Sequence, residues 1–101
     1  MPAFFLSKQP WEEFRITVDF AVDRLVSSEI ITVHTVTAAK MFDGSDATAD
    51  VLGTDTESGE IITIPVKAGV DGERYNIVIR VTTDMGNKYE VDVVMVIGDR
   101  P

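Results

Sequence analysis

Cysteine is absent from the 101 residues, which excludes a disulfide framework and thiol chemistry and suits a reducing compartment. Histidine occurs once, at His34, inside a β-branched run. With no cysteine and no second histidine to share a metal, no zinc site is expected, and His34 reads as a strand residue. Positive charge is scarce: nine Lys and Arg stand against seventeen Asp and Glu, for a net charge of -8. A phosphate backbone would be repelled, and Arg15, Arg24, Arg74 and Arg80 are too scattered to offset this. Nucleic acid is therefore not an expected partner. Long apolar runs are also missing. The opening MPAFFLSKQP has no basic leader and no long apolar core, so neither a signal peptide nor a membrane span is expected.

The chemistry of active sites is equally thin. Ser27, Ser28, Ser45 and Ser58 have no nucleophile-elbow context. Gly69 and Gly72 precede a strand pattern, not a helix, so no phosphate-binding loop is read there. Asp43, Asp46, Asp50, Asp55 and Glu57 lie close together, but the twelve-residue calcium-loop pattern is not present. They read as solvated turn acids. No catalytic residue, cofactor or metal is expected, and an enzyme is not.

What the chain does have is alternation. Residues 66–97 read as a long hairpin. Tyr75, Ile77, Ile79 and Val81 share one face of its first strand, and Tyr89, Val91, Val93, Met95 and Ile97 share one face of its second. Asp84-Met85-Gly86-Asn87 predicts a type I turn with a glycine bulge, because Gly86 tolerates positive φ. Tyr75, three residues after Gly72, is placed to return its hydroxyl to nearby backbone and pin a corner between sheets.

Residues 14–20 alternate as cleanly, with Phe14, Ile16, Val18 and Phe20 on one side. Residues 21–28 predict a turn or single helical turn with Leu25 inward. Residues 30–37 are β-branched but ambiguous in phase, and a bulge would reconcile the two phases. Residues 47–52 predict a short strand and residues 53–59 a polar loop. Residues 61–67 form a strand with Ile62, Ile64 and Val66 on one face; Pro65 places it at an edge or at a bulge.

The sum is about seven short strands with turn signals at roughly ten-residue spacing, an all-β, Ig-like antiparallel β-sandwich. A hydrophobic share of 45% argues against disorder. Residues 1–10 are expected to form an extended N-terminal arm or edge strand, and residues 11–101 a single Ig-like sandwich domain. Phe4, Phe5, Leu6 and Trp11 are the candidate partner-binding residues, since exposed aromatics there would suit an interface.

Two segments resemble a known family. Lys8, Pro10 and Glu12, followed by Asp19 and Phe20, resemble the opening of small phage and prophage proteins. In those, a Lys-x-Pro-x-Glu stretch leads into a strand ending in Asp plus an aromatic; the family usually has tryptophan where this chain has Phe20. Gly69-x-x-Gly72-x-x-Tyr75 and the hairpin from Thr82 to Gly86 are similar to that family's second half. These are phage fiber–tail adaptor-like proteins. The resemblance implies a non-enzymatic structural adaptor in the neck or tail of a virion. It would bind other virion structural proteins through sheet edges and the N-terminal arm, in a homo-oligomeric ring or as a bridge. It would reside in the virion, or in host cytoplasm before assembly. The alternative is an Ig-like cell-surface or carbohydrate-binding module; a small hydrolase ranks third.

Overall fold

The fold comes from a computed structural model that describes residues 3–20 and 30–98. Among the described residues, seven strands and one helical turn follow in order: β1 (Ala3–Lys8), β2 (Phe14–Asp19), β3 (Ile31–Lys40), α1 (Thr48–Val51), β4 (Thr56–Ser58), β5 (Ile61–Val66), β6 (Arg74–Thr83) and β7 (Lys88–Ile97). They form two sheets, a four-stranded one in the order β1-β7-β6-β3 and a three-stranded one in the order β2-β5-β4. This is an all-β sandwich. Every strand pair among the described residues is antiparallel except β1 with β7, which run parallel from Ala3 opposite Asp92 to Lys8 opposite Ile97.

The period-two faces of the sequence become the core. Tyr75, Ile77, Ile79 and Val81 of β6 and Val91, Val93, Met95 and Ile97 of β7 are buried, facing Ile62, Ile64 and Val66 of β5. Phe14, Ile16 and Val18 of β2 pack half-buried against them. Full burial of one such aliphatic chain stabilises by about 1.5–3 kcal/mol, so this continuous layer is the main force holding the sheets together.

The hairpin turn closes as its residues require. Gly86 N–H donates to Thr83 O at 3.0 Å and Thr83 N–H to Asn87 O at 2.9 Å, with Gly86 at φ 81. That is a type I turn followed by a glycine bulge. The phase conflict in residues 30–37 is resolved by an irregularity between Ile31 and Val33. Ile31 and Val36, five apart, both face the core. An extra residue reverses the alternation and lets both phases be used.

Two expectations fail. Residues 47–52 hold the helical turn α1, not a strand. Asp46 Oδ1 accepts from Thr48 N–H at 3.1 Å and from Thr48 Oγ1 at 2.7 Å, a local turn that competes with the extended chain. Ala47 and Val51, one turn apart, then share the buried side. The polar loop of residues 53–59 contains β4, whose three residues are all exposed and pair with the first half of β5. β5 is accordingly the centre of its sheet. Pro65 is tolerated because β4 ends its pairing at Thr63, and the Pro65 carbonyl instead accepts from Gly53 N–H at 2.9 Å. The turn expected at residues 21–28, with Leu25, lies outside the described residues.

Candidate functional site

One end of the sandwich gathers the β1–β2 turn, the β3–α1 loop and the β5–β6 connection. Residues 9–12 form its first corner. Glu12 N–H donates to Gln9 O at 3.1 Å, and Gln9 N–H donates back to Glu12 Oε1 at 2.8 Å. Pro10 occupies the second position of this turn, where its fixed φ is favoured. Trp11 occupies the apex and is 91% exposed.

Lys8, at the end of β1, is fully buried. Its ammonium donates to the carbonyls of Gln9 at 2.7 Å, Pro10 at 3.4 Å and Ala68. Ala68 is the only non-glycine residue with positive φ among those described. Burial pushes the Lys8 ammonium below its ordinary value, and the nearby Glu13 carboxylate partly offsets this. A buried charge is tolerable only with such a set of acceptors. Lys8 therefore ties the first strand to the β5–β6 connection.

That connection is pinned a second time. The Tyr75 hydroxyl accepts from Val70 N–H at 3.1 Å, with the ring fully buried. This is the corner anticipated from the glycine-tyrosine spacing. Gly69 packs against Ile97 and the Tyr75 ring so closely that a Cβ would lie 2.7 Å from Ile97 Cδ1.

On the far side of the same end, Met41 N–H donates to Arg74 O at 2.9 Å. Phe42 follows and is 90% exposed. Asp43 and Asp46 are exposed in the loop beyond. The Ser45 hydroxyl and N–H hold Asp43 below the usual carboxylate range, and Thr48 does the same for Asp46. Both loop acids already have protein donors, and no group of three or more potential metal ligands occurs among the described residues.

The candidate contact residues separate. Phe5 of β1 points outward and is 79% exposed, beside Val94 of β7. Leu6 is half-buried against the core. Trp11 is exposed at its turn. Phe4 lies in β1, with its side chain outside the described part. Phe42 carries no signal in the sequence, since one aromatic in a polar loop has no periodic partner.

His34 lies in β3, as its β-branched run predicts, and its ring makes contacts that the run does not announce. Its Nδ1 faces Glu57 Oε1 at 3.1 Å and its Nε2 faces Asp55 Oδ2. The contact joins β3 to β4 across the open side of the sandwich. Proximity of Asp55 and Glu57 to His34 depends on how two sheets face each other, which no local pattern encodes.

The profile of the family described as podophage GP4 fiber-tail adaptor protein gp77 matches residues 8–96. The chain belongs to this fiber-tail adaptor family. Curated proteins yield no match. A solved structure with a similar backbone is that of the Vibrionaceae Photobacterium sp. JT-ISH-224 2,6-sialyltransferase, at 15% identity and a TM-score of 0.45. The match covers 94% of this chain and 17% of that one.

In this member of the fiber-tail adaptor family, the motifs that carried the resemblance have structural work. Lys8, Pro10 and Glu12 build the β1–β2 corner. Gly69, Gly72 and Tyr75 build the β5–β6 corner, where Gly72 N–H donates to Ile97 O at 3.0 Å. Thr83 and Gly86 close the hairpin. No helix among the described residues is long and apolar enough to cross a membrane.

Proposed function

We propose that the chain is a non-enzymatic Ig-like adaptor that joins neighbouring proteins in the tail of a phage or prophage particle. Its contacts are the open edge of β1 and the exposed Phe5 and Trp11, with Phe4 on the same strand and Leu6 anchoring that strand to the core. One observation carries this reading: β1 is the last strand of the four-stranded sheet, with one edge unpaired among the described residues and Phe5 turned outward from it. An open edge accepts a neighbouring strand through main-chain hydrogen bonds, and an adjacent aromatic adds apolar area. Family membership supports the same role. The Ig-like description is supported by the placement of the second, fifth and fourth strands in one sheet and the third, sixth and seventh in the other.

A carbohydrate-binding module would group its aromatics on one sheet face. Here Phe5 lies on a strand, while Trp11 and Phe42 lie on two separate loops. The adaptor reading is tested by purifying particles of the source phage on a density gradient and quantifying this chain by mass spectrometry. Stoichiometric recovery with intact particles supports it. Absence from complete particles overturns it.

A further inference from the structure

His34 shares the inner face of β3 with the buried Val36 and Ala38, and β3 is an outer strand of the four-stranded sheet. Glu57 is the middle residue of β4, an outer strand of the other sheet, in register with the buried Ile62 of β5. Asp55 lies two residues before Glu57, the spacing that shares one face of an extended chain. On this side of the sandwich the two sheets therefore meet through polar side chains. His34 Nδ1 lies 3.1 Å from Glu57 Oε1, and its Nε2 contacts Asp55 Oδ2. The three side chains are 23%, 28% and 29% exposed, so bulk water reaches them only in part.

This arrangement demands a particular number of protons. An ionised carboxylate has no donor to offer. A neutral imidazole has one N–H and one bare lone pair, so it satisfies one of the two carboxylate oxygens and repels the other. Only the imidazolium, with an N–H on each nitrogen, donates to both. The site then holds one positive charge between two negative ones. Without that proton it holds two negative charges, one of them lacking a donor.

The charged groups around the ring leave this role to its own proton. Val81, in register with His34 on β6, is apolar and buried. Arg80 is in register with Thr35, on the opposite face of the sheet, and donates to Glu90. Among the described residues, no cation other than His34 forms an ion pair with Asp55 or Glu57. Asp43 and Asp46, beyond the other end of β3, are held below the usual carboxylate range, so they stay ionised while a histidine titrates.

We infer that His34, Asp55 and Glu57 form a proton-operated latch that closes the β3–β4 side of the sandwich. The imidazolium ties β3 to both carboxylates. When the proton leaves, the ring keeps one carboxylate and releases the other. β4 has three exposed residues and a short ladder to β5, so it is the element that loosens. β6 and β7 lie in the middle of their sheet and stay closed. The latch lies across the sheet from the β1 edge and is independent of the adaptor reading.

The test uses the full chain with isotope-labelled histidine. NMR follows both ring nitrogens of His34 from about pH 5 to about pH 8, the range in which histidine changes charge. Amide protection of β4, β6 and β7 is measured over the same range. The inference expects protons on both ring nitrogens wherever β4 is fully protected. As the ring loses its proton, β4 protection should fall about three-fold, a size suited to partly exposed charges, while β6 and β7 keep theirs. Glu57→Gln offers an amide N–H to the bare nitrogen, so β4 of E57Q should stay protected throughout. His34→Gln should abolish the step. Constant β4 protection in the wild type overturns the inference, as does a step that persists in E57Q or H34Q. A ring with a single N–H while β4 remains fully protected overturns it too. An equal loss in β6 and β7 would make the event global and overturns it as well.

Discussion

The Lys8 ammonium donates to the carbonyl oxygen of Ala68, sixty positions further along the chain. This contact joins the end of the first strand to the connection between β5 and β6. It also explains why Ala68 holds a left-handed φ of 50 without being glycine, since that conformation presents its carbonyl to the buried charge. Replacing Lys8 with Met fills similar volume but leaves partly buried carbonyls without this donor. The expected loss is about 1–3 kcal/mol, read from urea unfolding at unchanged slope. An unchanged midpoint would show that the ammonium contributes nothing net.

The same residue predicts a pH dependence. Burial lowers the folded-state value of Lys8 below its ordinary 10.5. In the alkaline window between the lowered and ordinary values, the unfolded chain binds more protons than the folded one, so this group adds stability as pH rises. The stability of the wild type relative to Lys8→Met should therefore increase from neutral pH toward 10.5. A difference that stays flat or shrinks across that window contradicts the burial of the charge.

Much of this architecture was legible because a few physical signals are local. Period two fixed the faces of β2, β6 and β7. The positive-φ tolerance of Gly86 fixed the hairpin turn, and the double phase of residues 30–37 announced the bulge beside Ile31. The spacing of Gly72 and Tyr75 announced the corner. What escaped depends on distant or very short features. β4 is three exposed residues with no alternation to read. α1 is one turn, begun by the Asp46–Thr48 hydrogen bonds. The parallel partnership of β1 with β7, the approach of His34 to Asp55 and the grouping of Trp11 with Phe42 arise only when the sheets assemble.

Two glycines of one connection should respond differently to alanine. Gly69 has φ 95 and no room, because a Cβ would meet Ile97 Cδ1 at 2.7 Å. Gly72 has φ 88 but open space around it. Gly72→Ala should lose about 1–2 kcal/mol from backbone strain alone. Gly69→Ala should lose a further ~1–3 kcal/mol from overpacking. Thermal unfolding of both variants checks the order; equal losses would mean that Ile97 moves aside freely.

The His34 contact should be local in its effect. All three side chains are partly exposed, so its coupling to Asp55 should be below about 1 kcal/mol in a double-mutant cycle of H34A and D55A. The clearer readout is hydrogen exchange. Amides of β4 should exchange faster in H34A, while those of β6 and β7 keep their protection. Uniform acceleration across both sheets would instead make His34 a global stabiliser.

The central proposal, which follows the family's fiber-tail adaptor description, is that this protein joins fibre to tail. The most direct measurement is the fibre content of particles assembled without it, by mass spectrometry of virions from a phage lacking the gene. The account predicts tails that carry little or no fibre protein, with fibres restored when the wild-type chain is supplied in trans. Particles that retain their full complement of fibres without this chain would contradict it.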